Sequence, residues 1–143
     1  MSVQQIHTQY CDELNILIVE DNQVNQMIIS HFLAPLNCKF DITDNGLEAV
    51  VAVTQKKYDL VLMDVQMPEM DGIAATKHIR SLAGSKGQMP IIAVTANTLE
   101  DDRQKCLLAG MNDFIPKPVD QQDLLDAITR CVGKANPEID KGP

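Results

Sequence analysis

Basic residues are scarce in this 143-residue chain: Lys and Arg total 12 against 20 Asp and Glu, giving a formal net charge of −8. With no positive field to attract a phosphate backbone, nucleic acid is a poor partner, and anionic membrane surfaces are disfavoured on the same ground. Long apolar runs are missing too. No stretch approaches the roughly 18 consecutive apolar residues of a membrane span. The opening MSVQQIHTQYCDE has neither the basic start nor the apolar centre of a signal peptide. Cysteine is sparse: Cys11, Cys38, Cys106 and Cys131 are widely spaced and form no C-x-x-C pair. Nothing points to export, so the expectation is a reduced, cytoplasmic domain with no direct membrane contact, whose parent protein could itself be membrane-anchored. Tryptophan is absent, but the apolar fraction of 45% is that of a globular protein and far too high for a disordered one.

What is present alternates. Residues 1–13 are polar and aperiodic, and 134–143 are rich in Pro, Gly and charge; both read as linkers flanking a domain over 14–133. Inside the domain, short apolar and β-branched runs predict strands at Asn15–Glu20, Cys38–Thr43, Asp59–Asp64, Pro90–Thr95 and Asp113–Ile115. Three of them are almost continuously apolar, as strands buried on both faces of a parallel sheet must be. Helical spacing of apolar residues predicts helices at Gln23–Leu36, Leu47–Lys57, Gly72–Leu82, Leu99–Ala109 and Gln121–Val132. Asp71 and Asp120 stand at N-cap positions, and Gly110 stands where a left-handed C-cap belongs. Such βα units build a three-layer α/β fold with right-handed crossovers. Its ligand site lies at the carboxyl ends of the strands.

Those ends carry chemistry. The first strand runs into Glu20 and Asp21, the third ends in Asp64, the fourth in Thr95, and the fifth leads to Lys117-Pro118. Taken singly, each reads as a cap or a solvated turn residue. Taken together, converging carboxylates repel one another unless a cation sits between them. A hard, oxygen-seeking ion such as Mg²⁺ suits them, and it shares phosphate oxygens readily. A carboxylate can attack phosphorus and carry it as an aspartyl-phosphate, with Lys117 and Thr95 contacting the remaining oxygens.

The segments ILIVEDNQVN, DLVLMDVQMPEMDG, PIIAVTAN and DFIPKP, in this order over about Leu14–Gly133, resemble the motifs of the response-regulator receiver domain of two-component signalling. The resemblance implies a (βα)5 flavodoxin-like fold with strand order 2-1-3-4-5. It implies Asp64 as phosphoacceptor, Glu20 and Asp21 as metal-binding acids, and the backbone carbonyl of Gln66 as a further ligand. The ion is then Mg²⁺, for which Mn²⁺ can substitute. Thr95 and Lys117 match the family's switch hydroxyl and phosphate-pairing lysine, and Phe114 its switch aromatic. The Lys117-Pro118 bond is expected cis. EDNQVNQ, MPEMDGI and TANTLEDDRQKCLLAGMNDFIPKP look most like receivers of hybrid sensor histidine kinases, so the expected partners are a histidine kinase or a His-phosphotransfer domain. A stand-alone receiver is the alternative parentage. A weak homodimer through the fourth and fifth helices is a further expectation.

Other classes fit less well. A nucleotide-binding domain wants a glycine-rich phosphate loop after the first strand, where this chain has EDNQVNQ. Aspartyl-phosphate hydrolases usually carry a second Asp two residues after the nucleophile; here that residue is Gln66. A phosphorylatable domain that catalyses its own modification without being a turnover enzyme is the better reading, and the intact acid cluster argues against an inert scaffold. On the first helix, Ile28, Ile29, Phe32, Leu33 and Leu36 share a core-facing arc. Val24, Met27 and His31 form a separate arc beside the Asp64 edge, and the resemblance to hybrid-type receivers implies that this helix docks a helical phosphotransfer partner there.

Overall fold

The computed structural model describes residues 14–36, 38–67, 71–96 and 99–135, so the predicted N-terminal linker and most of the predicted tail lie outside the described residues. The elements are β1 (Asn15–Val19), α1 (Gln23–Leu33), β2 (Lys39–Thr43), α2 (Gly46–Gln55), β3 (Leu60–Asp64), α3 (Gly72–Arg80), β4 (Ile91–Thr95), α4 (Glu100–Ala109), β5 (Asp113–Pro116) and α5 (Gln121–Ala135). All strand pairs are parallel, in the order β2-β1-β3-β4-β5. That is the flavodoxin-like topology that the resemblance implied.

Alternation along the strands divides the interior in two, because successive side chains point to opposite faces. Ile16, Ile18, Leu60, Leu62, Ile92 and Val94 face α1 and α5, meeting Ile29, Leu33, Leu124 and Ile128. Leu17, Val19, Val61, Met63, Ile91 and Ala93 face α2, α3 and α4, meeting Val53, Ala75, Ile79 and Cys106. β3 and β4 are buried along their whole length, which is why their sequences are apolar without alternation. Each fully buried Leu, Ile or Val contributes roughly 1.5–3 kcal/mol relative to exposure.

The caps follow the sequence. Asn22, Asn45 and Asp71 accept from the backbone N–H three residues on, opening α1, α2 and α3. Asp120 does the same at α5, accepting from the N–H groups of Gln122 and Asp123. Gly110, at φ +110°, ends α4 in the left-handed conformation. Most boundaries differ from expectation by no more than two residues, and two differ by three. α1 stops at Leu33 and gives way to a 3-10 turn at Ala34–Leu36, because Pro35 has no N–H to donate and disfavours helix in the residue before it. α5 continues past Val132 to Ala135.

One side chain ties the amino-terminal edge of the sheet together. Arg80, at the end of α3, donates through Nε to the Gly110 carbonyl at 2.9 Å. Its Nη1 donates to the carbonyls of Gly87 and Met89 at 3.0 and 2.7 Å, and its Nη2 to Asn112 Oδ1 at 2.9 Å. Burial pulls its pKa down. A Cβ on Gly110 would lie 2.8 Å from Arg80 Cγ, so glycine is required there for space as well as for φ.

α4 is held differently from its neighbours. Only Cys106 and Ala109 of it are buried, while Leu108 is 84% exposed, and Leu99 provides no side-chain cap at its start. Among the described residues no helix is long and apolar enough to cross a membrane.

Candidate functional site

Parallel strands bring their carboxyl ends to one edge, and four polar residues are buried there or nearby: Glu20, Asp64, Thr95 and, within α3, Thr76. The first three stand at the ends of β1, β3 and β4. Glu20 follows β1 and is held in line by its N–H, which donates to the Thr43 carbonyl at 3.1 Å. Asp64 is the last residue of β3 and Thr95 the last of β4.

Glu20 is 1% exposed and Asp64 2%. Carboxylate oxygens of Glu20, Asp21 and Asp64 all lie within 4.8 Å of one another. Lys117, just beyond β5, places Nζ 3.0 Å from Asp64 Oδ1 and 3.4 Å from Glu20 Oε1. Asp64 Oδ1 also accepts from the Gln66 N–H at 3.2 Å, and Glu20 Oε2 from the Asn22 N–H at 3.1 Å. Among the described residues Asp64 Oδ2 is buried with no hydrogen-bond donor, and Glu20 Oε1, buried as well, has only the Lys117 ammonium at 3.4 Å.

The charges respond accordingly. Burial, then the hydrogen bond and charge of Asp64, push the Glu20 carboxyl up to about 7, against the opposing pull of the Asn22 N–H and Lys117. Burial lowers the Lys117 ammonium, but the hydrogen bonds and charges of Asp64 and Glu20 outweigh it and leave its pKa raised. One ammonium is thus shared between the buried carboxylates of Glu20 and Asp64, with Asp21 beside them, and Asp64 Oδ2 finds no hydrogen-bond donor among the described residues. Removing a lone oxygen from water without replacing its hydrogen bonds is costly. A hard divalent cation with oxygen preference fits this donor set, and Glu20, Asp21 and Asp64 are the residues that could hold it.

Gly72 makes room for the acceptor strand. A Cβ there would sit 2.3 Å from the Asp64 carbonyl oxygen and 2.9 Å from Met63 Cγ and Val65 Cα. The Gly72 N–H donates to the Val65 carbonyl at 2.9 Å, so α3 starts pressed against the backbone that carries Asp64. Beside it opens a groove of about 530 Å³ lined by Gln66, Met67, Asp71, Thr95, Asp102 and Cys106 among others.

The structure therefore brings Glu20, Asp21, Asp64 and Lys117 together, with Thr95 buried on the adjoining strand. The Lys117 N–H donates to the Thr95 carbonyl at 2.9 Å, and the Lys117-Pro118 peptide is cis. Gln66 contributes its N–H to Asp64. Phe114 stands on β5, half-buried, with the Arg103 guanidinium of α4 4.9 Å from its ring centre. Val24 and Met27 are 63% and 71% exposed on α1, with His31 exposed as well, whereas Ile29 and Leu33 of the opposite arc are buried and Phe32 packs partly against the core. Sequence reasoning missed Asn22, whose N–H reaches Glu20, and the close approach at Gly72. It also missed Gln26, whose side-chain amide donates to the Glu20 carbonyl at 2.6 Å.

Known proteins agree with this geometry. A family model described as the response regulator receiver domain matches residues 16–129. The hybrid signal transduction histidine kinase B of Dictyostelium discoideum is 48% identical over 120 residues, covering 77% of this chain and 6% of that protein. The sensor protein GacS of Pseudomonas syringae is 36% identical over 122 residues, covering 84% of this chain and 14% of that protein. The chain thus spans only a small part of such relatives. Among solved structures, the receiver domain of the sensor histidine kinase PA1611 from Pseudomonas aeruginosa, with a magnesium ion in its active site cleft, is 40% identical with a TM-score of 0.78. That match covers 85% of this chain and 98% of the other. The receiver domain of Ssk1 from Saccharomyces cerevisiae, crystallised with the histidine phosphotransfer protein Ypd1, is 35% identical with a TM-score of 0.80. It covers 90% of this chain and 95% of the other.

Proposed function

The chain belongs to the response regulator receiver domain family, and from that premise we propose that Asp64 accepts a phosphoryl group from a phosphohistidine on a partner protein. One observation carries the reading. Asp64 Oδ1 is held by Lys117 and by the Gln66 N–H, while Oδ2 has no donor among the described residues and is left to attack. In the transfer, the bond from Oδ2 to phosphorus forms as the histidine nitrogen–phosphorus bond breaks, and the nitrogen lone pair returns to the imidazole. Mg²⁺ held by Glu20, Asp21, Asp64 and the Gln66 carbonyl, or Mn²⁺ in its place, would neutralise charge on the transferring oxygens.

Lys117, already within reach of Asp64, then pairs with a phosphoryl oxygen, and the Thr95 hydroxyl takes another. Thr95 and Phe114 pass the change to the face of α4 and α5, which also offers a surface for a weak homodimer. Such a switch is a two-state equilibrium that the modification biases. The receiver-bearing hybrid kinases among the relatives support a hybrid histidine kinase as parent, and the phosphotransfer protein bound to a similar receiver supports a helical donor docking on the Val24, Met27 and His31 face.

The test is Asp64→Asn. It should abolish covalent labelling both by a phosphohistidine donor and by acetyl phosphate, since an amide is a poor nucleophile, and chelation of Mg²⁺ should do the same to the wild type. Labelling of the Asn variant at the wild-type rate would place the acceptor elsewhere.

A further inference from the structure

Gln26 lies on α1 and contributes no ligand to the acid cluster, yet both protons of its side-chain amide are committed next to it. Nε2 donates to the Glu20 backbone carbonyl at 2.6 Å and to Asp44 Oδ1 at 2.9 Å. An amide nitrogen has two protons to give, so the group is fully used as a donor. The bond to Asp44 is charge-assisted and holds the amide from the far side, out of the loop between β2 and α2.

The consequence falls on the turn between β1 and α1. Glu20 donates its N–H to the Thr43 carbonyl at 3.1 Å, and its carbonyl accepts from Gln26. The backbone of Glu20 is therefore gripped on both sides, by the end of β2 and by α1. Its carbonyl belongs to the peptide plane from which Asp21 departs, so fixing that oxygen fixes the direction of the next acid as well as of Glu20 itself. Glu20 and Asp21 are two of the three carboxylates that converge within 4.8 Å. Three mutually repelling acids hold such a geometry only if the backbone beneath them is restrained.

We propose that Gln26 is a positioning residue which, anchored by Asp44, holds the β1–α1 turn so that Glu20 and Asp21 converge with Asp64 on a divalent cation. The proposal rests on reading that cluster as a cation site. Partners in the outer shell of metal ligands typically carry 10–100-fold in affinity, and a strap acting through the backbone falls at the lower end.

The experiment is calorimetric titration of Mg²⁺ into the purified chain, with thermal midpoints recorded in chelator for every variant. Gln26→Leu, which keeps the bulk and removes both donors, should weaken Mg²⁺ binding about tenfold while the metal-free midpoint stays near that of the wild type. Asp44→Ala should weaken it in the same direction, and Asp44→Asn, which retains an acceptor oxygen without the charge, should recover most of the loss. The double variant Gln26→Leu/Asp44→Ala should be no worse than Gln26→Leu alone. Wild-type affinity in Gln26→Leu overturns the proposal. So does a loss that tracks the metal-free midpoint from variant to variant, with Asp44→Asn no better than Asp44→Ala, since Gln26 is then only a packing residue. Should Gln26→Leu fail to fold, the Asp44 pair decides alone. A wild-type chain that binds no Mg²⁺ overturns the cation reading itself, a result distinct from all of these.

Discussion

Without a divalent cation, the domain should lose stability as pH rises through the range in which most proteins gain it. Glu20 is almost wholly buried, and its carboxyl stands at about 7 instead of 4.5 because burial and Asp64 both oppose its charge. Between those two values the folded chain keeps a proton that the unfolded chain has released. The folded state binds more protons, so the free energy of unfolding falls as pH rises. At about 1.4 kcal/mol for each pH unit of separation, the full window removes about 3 kcal/mol. That is a large share of the roughly 5–15 kcal/mol that holds a domain folded. Other shifted groups lie clear of the window: Lys117 is raised from 10.5, and Asp41 is lowered from 3.8 by its bonds to Lys56 and Tyr58. Urea denaturation followed by far-ultraviolet circular dichroism, in chelator from about pH 5 to about pH 7.5, reads the effect directly. Saturating Mg²⁺ at the upper end should restore stability, by about 2.7 kcal/mol at a hundred times its dissociation constant. Asp64→Asn should raise stability there and flatten the slope without abolishing it, because burial, the largest cause of the shift, remains. A metal-free stability that is level or rising across the window, or an Asn variant less stable than wild type at its upper end, would refute the reasoning.

Gly72→Ala should cost about 1–3 kcal/mol, measured by the same denaturation, because the obstacle to its Cβ is the Asp64 carbonyl, which cannot swing aside. The same variant should slow labelling by acetyl phosphate, and unchanged stability and rate together would show that α3 pivots freely. Lys117→Ala should still accept phosphoryl, but the amide spectra of its unmodified and phosphorylated forms should differ little around Phe114; a wild-type shift would reject the lysine as the link. Met27→Asp, at a position 71% exposed, should slow transfer from a protein donor and leave acetyl phosphate labelling nearly unchanged. Equal loss with both donors would indicate a damaged site, and no loss with either would move the docking face elsewhere.

The strands were readable because β1, β3 and β4 are buried on both faces, and only apolar residues tolerate that. The acids were readable because a parallel sheet can deliver its strand ends to only one edge. The helical spacing overshoots the end of α1 for an instructive reason. Leu36 is fully buried and keeps the helical spacing, but it reaches the core from a 3-10 turn that Pro35 imposes. Periodicity reports which side chains go inward and says less about the backbone that carries them. The contacts that stayed hidden, at the site and at the opposite edge of the sheet, share the backbone as a partner. Gln26 meets a carbonyl, Gly72 clears one, and Arg80 collects three carbonyls from as far as 30 residues along the chain. Every residue type offers the same carbonyl, so nothing in the letters marks which one will be met.

α4 is a lever. Its carboxyl end is pinned, since Gly110 closes the helix and Arg80 grips the Gly110 carbonyl at 2.9 Å. Leu99 at its amino end supplies no side-chain cap, and the buried residues that seat the helix are one cysteine and one alanine. At about 1.5 Å per residue the arm is about 15 Å long, so a tilt of about 10° about the Gly110 end carries the other end about 3 Å. Asp102, near that free end, and Thr95 line the same groove, so the tip of the arm sweeps beside the residue that would sense the phosphoryl group. Little apolar burial resists the swing, which puts it within the range of a single charge-assisted hydrogen bond of roughly 1.5–3 kcal/mol. Amide hydrogens in the first turn of α4 should accordingly exchange well before those near Gly110, giving the stroke a gradient along one helix.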